Sequence, residues 1–186
     1  MARKILAFDF GGVIADYSSL LQATIKELFT VEIPLGPDLL TLAILEKFGR
    51  KKSSRIYHHF SGKVMEYPLI EGAREALAEL KERGYRNVII SAQTIVGPEV
   101  LVEYCRIHRL LIDSIHVVKR SEDKKGVCEQ VRPDVFVDDN EFVLDYLEGV
   151  VQSRIFYDLF RTGAPTDYLR VQSWEELLVI IKNLET

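Results

Sequence analysis

"ILAFDFGGVIADY", Ile5 to Tyr17, decides how the chain is to be read. Ile5, Leu6, Ala7 and Phe8 run straight into Asp9, and two adjacent glycines, Gly11 and Gly12, follow at once. A core strand that ends on a carboxylate is costly unless the charge has a use, because an uncompensated buried charge is heavily penalised. Glycine adopts the dihedrals of a sharp exit turn without a Cβ penalty. The stretch therefore predicts a buried strand whose end is a working position.

Runs of the same kind recur along the chain. "KILAF" (4–8), "NVIIS" (87–91), "SIHVV" (114–118), "DVFVD" (134–138) and "SRIFY" (153–157) have the length and β-branched content of strands. They are near-continuous rather than alternating, the pattern of strands covered on both faces. Helix-period segments lie between the later runs. Glu71 to Gly84 places Ala73, Ala76, Leu77 and Leu80 on one face, and Gly84 stops it. Pro98 to Ile107, Glu122 to Arg132 and Glu141 to Leu147 fill the next gaps, and Trp174 to Leu184 follows a cap at Ser173. This alternation predicts an α/β fold, a three-layer Rossmann-like parallel sheet with helices on both faces.

With 186 residues, 47 % of them hydrophobic, the chain can bury one core and still carry an insertion. The first gap places it. Residues 16–68 are too many for one crossover and read as helices only, at Leu20 to Phe29, Pro37 to Phe48 and Ser53 to Phe60. The expected division is a core domain of residues 1–15 and 69–186 and a small helical cap of residues 16–68 over the sheet edge.

A formal net charge of −4 argues against a nucleic-acid polymer as partner, which would call for a basic face. No apolar run approaches the ~18–20 residues of a membrane span. "MARKILAFDF" is too briefly apolar and too soon acidic for a signal peptide. Cys105 and Cys128 have neither zinc-site nor disulfide-framework spacing and read as small core residues in a reducing compartment. The expectation is a soluble cytoplasmic protein with no membrane partner.

In open parallel sheets, ligands bind at the carboxyl ends of the strands. The first run ends at Asp9, the second at Ser91 and the fourth at Asp138 and Asp139, while the helix after the third opens with "SEDKKG". An acid, a hydroxyl, a lysine and a pair of acids thus share one rim. With "FDFGGV", "VIISAQ", Asp123-Lys124 and "DVFVDDN" in this order, the chain resembles the haloacid dehalogenase-like (HAD) superfamily of phosphatases and phosphotransferases. The likeness runs along the whole chain, and the helical insertion lies where that family carries its smaller cap. "DFGGVIAD" also looks like the opening of the deoxyribonucleotidase-type members.

The resemblance implies a phosphatase acting on a small phosphorylated metabolite, a nucleotide or sugar phosphate, and the residue types suit that chemistry. A carboxylate can attack phosphorus and form an aspartyl phosphate, which splits one hard step into two. Asp9 takes that role. Two anions must approach, so Mg²⁺ is the expected cofactor, held by Asp9, by Asp138 or Asp139, and by the Gly11 carbonyl. Ser91, with the backbone around it at Ala92, donates to a phosphoryl oxygen, and a lysine balances the remaining charge. Lys124 precedes Val127, Cys128 and Val131 by three, four and seven residues, so it heads the sheet-facing side of its helix. Lys125 is rotated by about 100° from that side and is the second choice. Gly11 and Gly12 expose backbone groups to metal and phosphate.

Taken singly, Asp9 could be a turn acid, Asp138-Asp139-Asn140 a helix cap, Ser91 a strand-end hydroxyl and Lys124 part of a solvated charged run. Asp16 could merely cap the first cap helix. "GRKKSSR" (49–55) reads as a solvated basic run, His58 and His59 as cap surface, and His108 and His116 as structural. G-x-G-x-x-G is absent, which argues against a dinucleotide site. A phosphorelay receiver would carry its paired acids before the phosphorylated aspartate, whereas here the pair comes last. The chain departs from most phosphatases it resembles at Gly11, where they place an aspartate as general acid. Such an acid is worth about 10²–10⁴-fold. Its loss leaves a second expectation open: a protein of this fold that binds phosphorylated ligands or a partner with little turnover.

Overall fold

A computed structural model of the chain describes residues 4–36, 39, 41–93, 95–163 and 165–184, without the side chains of 41 and 42. Six strands form one parallel sheet in the order β3-β2-β1-β4-β5-β6. They are β1 (Ile5–Phe8), β2 (Arg86–Ala92), β3 (Ser114–Val118), β4 (Val135–Asp138), β5 (Ser153–Tyr157) and β6 (Leu169–Val171). The helices are α1 (Ser18–Phe29), α2 (Thr41–Ser61), α3 (Ala73–Glu82), α4 (Pro98–Ile107), α5 (Lys124–Val131), α6 (Glu141–Tyr146) and α7 (Trp174–Asn183). The expected parallel α/β sheet is present.

Alternation along the strands builds the layers. Leu6 and Phe8 of β1 join a core with Leu77 of α3, Tyr104 of α4 and Leu177 of α7. Ala7 points the other way and joins Cys128 of α5 and Val143 and Leu144 of α6. Successive strand residues face opposite sides, so four residues of β1 suffice to anchor both helical layers. Trp174, 1 % exposed, packs on Phe8 and donates its indole N–H to the Val13 carbonyl at 2.8 Å, tying α7 to the turn after β1. Truncating such a residue to alanine costs about 3–5 kcal/mol.

The structure differs from the sequence-based expectation in four places. β6 was not foreseen, because it has three residues and lies at the sheet edge, where one face needs no apolar side chain. β3 is the other edge and is only half-buried throughout, although its sequence is as apolar as a central strand. Helices expected at Pro37 to Phe48 and Ser53 to Phe60 join as α2, with Gly49 at φ 70°, ψ 165° as the kink between its arms. The expected start at Pro37 lies outside the described residues. Glu122 to Arg132 resolves into a 3₁₀ turn, Ser121–Asp123, followed by α5.

The helical segment leaves and re-enters the core at one point. Ala15 and Leu69 form an isolated antiparallel bridge, the Asp16 amide donates to the Pro68 carbonyl at 2.8 Å, and that of Ile70 donates to Ile14 at 2.9 Å. Inside this closure α1 and α2 pack on each other. An aromatic series then runs from α4 into α2: Tyr104 on Phe10, Phe10 on Tyr67, Tyr67 on Phe60.

Candidate active site

Register alone puts the first two acids side by side. Phe8 pairs with Val137 across β1 and β4, and the Asp9 amide donates to the Val137 carbonyl at 2.9 Å, so Asp9 and Asp138 leave adjacent strands together. Strand order reverses between β1 and β4, which makes this the crevice where open α/β sheets bind ligands. Lys124, the first residue of α5, reaches in between them. Its Nζ lies 2.9 Å from Asp9 Oδ1 and 2.7 Å from Asp138 Oδ2, and the lysine is 2 % exposed. Burial alone would lower the lysine pKa, but the Asp138 and Asp9 charges outweigh it and raise it above its ordinary value, keeping the ammonium charged.

Asp139 completes the cluster. One carboxylate oxygen from each of Asp9, Asp138 and Asp139 lies within 4.8 Å of the others, the one metal-capable cluster among the described residues. Burial pushes the Asp138 carboxyl up to about 7, with Lys124 opposing and Asp9 adding to the rise. Burial, then Asp138 and Asp9, likewise raise Asp139. Three carboxylates face one ammonium, which reaches Asp9 and Asp138 but not Asp139. An all-oxygen cluster lacking two positive charges fits a divalent hard cation such as Mg²⁺.

The glycines fit closely around this cluster. Gly12 has φ +82°, and a Cβ there would fall 2.1 Å from Asp139 Oδ2. Any side chain there would have to displace Asp139 or the turn. Its amide donates to the Ala15 carbonyl at 2.8 Å, so this N–H serves the turn rather than the cavity. Gly11 lines the cavity, and a Cβ on it would meet Tyr17 Cδ1 at 3.3 Å.

A cavity of about 830 Å³ opens over the cluster. Asp9, Gly11, Ala92, Lys124, Asp138 and Asp139 line it from the sheet, and Ser54, Tyr57, His58, Phe60 and Ser61 from α2. Lys119 and Arg120 stand on its rim, exposed; Arg120 is paired with Asp123 and Glu122. Ser91 is buried, and its Oγ accepts from Gln93 Nε2 at 3.3 Å. Lys125, the second choice for the phosphate lysine, is exposed and not on the cavity wall, one step round α5 from Lys124.

The secondary candidates also find their places. Asp16 accepts from the Ser18 amide at 2.8 Å and from its hydroxyl at 2.5 Å, at the start of α1. Lys52 and Arg55 of the basic run lie over the Phe29 ring. His58 lines the cavity although its sequence context reads as surface, whereas His59 stands 3.4 Å from Glu27. Tyr17 was missed altogether. Its hydroxyl donates to Asp139 Oδ2 at 3.0 Å, and its ring meets Phe60 edge-on. Burial, then the charge of Asp139, raises its pKa well above the ordinary value, so the hydroxyl keeps its proton. Its position one residue after Asp16, heading a helix beside the glycine turn, was the available signal.

A parallel sheet in this strand order, with acids at the carboxyl ends of β1 and β4 and a lysine from α5 between them, is the architecture of the HAD-like hydrolases. Solved structures share the fold over nearly the whole chain. A haloacid dehalogenase-like hydrolase from Streptococcus pneumoniae matches at TM-score 0.67 and 16 % identity, covering 96 % of this chain and 98 % of its own. The HAD-hydrolase YfnB from Bacillus subtilis, described as bound to magnesium, matches at 0.65 and 11 %, covering 97 % and 99 %. A HAD-superfamily hydrolase from Ehrlichia chaffeensis matches at 0.62 and 16 %, covering 100 % of both. No curated protein sequence matches significantly. Residues 3–184 match the family model described as 5' nucleotidase, deoxy (Pyrimidine), cytosolic type C, and the chain belongs to that family of HAD-like hydrolases.

Proposed function

We propose that the protein is a Mg²⁺-dependent phosphomonoesterase that works through an aspartyl phosphate on Asp9. The observation that carries this reading is Lys124, which bridges Asp9 and Asp138 at 2.9 and 2.7 Å on the wall of the cavity. Lys124 occupies Asp9 Oδ1, which leaves Oδ2 to attack phosphorus in line. A P–O bond forms to Asp9 as the ester P–O bond breaks, and the leaving oxygen takes its proton from water. Water then attacks the phosphoryl group, releasing phosphate and restoring the Asp9 carboxylate. Asp9, Asp138 and Asp139, with the Gly11 carbonyl, would hold Mg²⁺, whose charge offsets the repulsion between carboxylate and phosphate. Lys124 and Ser91, with the Ala92 backbone, balance the phosphoryl oxygens.

The family description favours a pyrimidine deoxyribonucleoside 5'-monophosphate over a sugar phosphate. The cavity has room for a nucleotide, and the partly exposed rings of Tyr17 and Tyr57 on its wall are where a base can stack. Residues 16–68 act as the cap, a division supported by the Ala15–Leu69 bridge that closes the segment at its base. No described helix is long and apolar enough to cross a membrane, and a small cytoplasmic metabolite suits this site better than a nucleic-acid polymer or a membrane lipid.

One observation favours a second reading. Gly11 has no side chain to protonate a leaving group, and a Cβ there would press on the Tyr17 ring at 3.3 Å. A ligand-binding protein with little turnover would need no acid there. Both readings are tested by one panel: deoxyribonucleoside monophosphates, sugar phosphates and p-nitrophenyl phosphate, with Mg²⁺ or with chelator, scored by phosphate release. Mg²⁺-dependent release from the nucleotides supports the enzyme. Tight nucleotide binding without release supports the binder.

A further inference from the structure

We propose that Tyr17 is a positioning residue for the cation site, and that the two glycines make room for it. Asp139 is the acid least secured by its neighbours: Lys124 pairs with Asp9 and Asp138, and the Asn140 amide also donates to Asp138 Oδ1 at 3.0 Å. Asp139 Oδ2 receives the Tyr17 hydroxyl at 3.0 Å instead. Each glycine clears one side of this contact. A Cβ on Gly12 would fall 2.1 Å from Asp139 Oδ2, and a Cβ on Gly11 would meet Tyr17 Cδ1 at 3.3 Å. The missing side chain at Gly11 is therefore exchanged for a ring whose hydroxyl aims a neighbouring carboxylate.

Tyr17 also joins two parts of the molecule. Its ring lies edge-on to Phe60 of α2 with centroids 5.8 Å apart, so the docking of α2 braces the hydroxyl that orients Asp139. Partners of this kind orient ligand carboxylates, and their loss typically costs about 10–100-fold in metal affinity.

The inference rests on the reading of Asp9, Asp138 and Asp139 as a cation site, and its test separates the two. Mg²⁺ and Mn²⁺ binding to the nucleotide-free protein are measured by calorimetry for wild type, Tyr17→Phe and Phe60→Leu, with metal-free melting curves alongside. Tyr17→Phe keeps the ring on Phe60 and deletes only the hydroxyl. Its metal Kd should rise about 10–100-fold while the metal-free melting temperature stays near that of wild type. Phe60→Leu keeps the hydroxyl and loosens its brace, so its Kd should rise by a smaller factor, and it decides the matter if Tyr17→Phe does not fold. Wild-type metal affinity in a folded Tyr17→Phe overturns the role of Tyr17 and leaves the cation site standing. Wild-type protein that binds neither cation overturns both.

Discussion

Removal of Lys124 should destabilise the protein in a way that depends on pH and is offset by metal. The ammonium is 2 % exposed and touches Asp9 at 2.9 Å and Asp138 at 2.7 Å. Lys124→Ala leaves two carboxylates without their cation, and breaking a buried pair in this manner costs about 3–5 kcal/mol. For a chain of this length that lowers the melting midpoint by roughly 6–20 °C. The pH sign follows from Asp138. Its carboxyl is pushed up to about 7 in the fold, against about 4 in the unfolded chain, so the folded state holds the proton more tightly. Stability from this group is present below pH ~4 and is lost as pH rises toward 7. Without Lys124, whose charge opposes the rise, Asp138 holds its proton more tightly still. The gap between variant and wild type should therefore widen from pH 5 to pH 8 and shrink on addition of Mg²⁺. Melting curves of metal-free protein at pH 5, 6.5 and 8, repeated with Mg²⁺, read this directly. Lys125→Ala, at an exposed position, should stay within about 0.5 kcal/mol of wild type. A Lys124→Ala protein as stable as wild type at pH 8, or a larger effect at Lys125, would show that the ion pair is not what holds the acids together.

Asp9→Asn should abolish phosphate release while circular dichroism and melting remain close to wild type, since the amide keeps the shape and loses the nucleophile; retained turnover removes Asp9 from the mechanism. Gly12→Ala must move either the turn or Asp139, because the new Cβ falls 2.1 Å from the carboxylate at φ +82°, and calorimetry should find metal binding weakened more than by Tyr17→Phe. Gly11 makes turnover depend on the leaving group: p-nitrophenyl phosphate should be cleaved well and alkyl phosphates slowly. Gly11→Asp should raise only the alkyl rates if Tyr17 yields to it, with Gly11→Ala as control, and equal chemical-step rates in the wild type would point to another acid. Cys105 and Cys128, whose thiols burial pushes up to about 12, should react with a thiol reagent only on unfolding; fast labelling of native protein would contradict their packing.

The parts of the site legible in the sequence are those fixed by local pattern. A parallel strand must deliver its last residue to the carboxyl edge, so Asp9 and Asp138 were placeable on the cavity wall from where apolar runs stop; Ser91, read in the same way, is buried and does not line the cavity. Lys124 was separable from Lys125 because helical periodicity points only one of two adjacent lysines at the sheet, and the two are buried and exposed respectively. What could not be read depends on how α1 and α2 fold back over the edge. His58, Tyr57 and Phe60 reach the cavity through the set of α2 relative to the sheet, which no periodicity encodes. β6 escaped because an edge strand of three residues carries almost no pattern.

Tyr17 shows why the opening stretch was only half intelligible from sequence. The glycine pair could be explained there by backbone freedom alone, and for Gly12, at φ +82°, that explanation holds. Gly11 has no such backbone, and what crowds a Cβ there is the Tyr17 ring six residues on, seen only once the turn is built. The turn itself depends on remote residues: Trp174 holds Val13, and the Ala15–Leu69 bridge fixes where the chain departs for α1. A carboxylate, two glycines and a tyrosine within nine residues thus become one device only after contacts spanning most of the chain have placed them. The stretch singles out Asp9, and the fold sets the hydroxyl of the aromatic at its far end against Asp139.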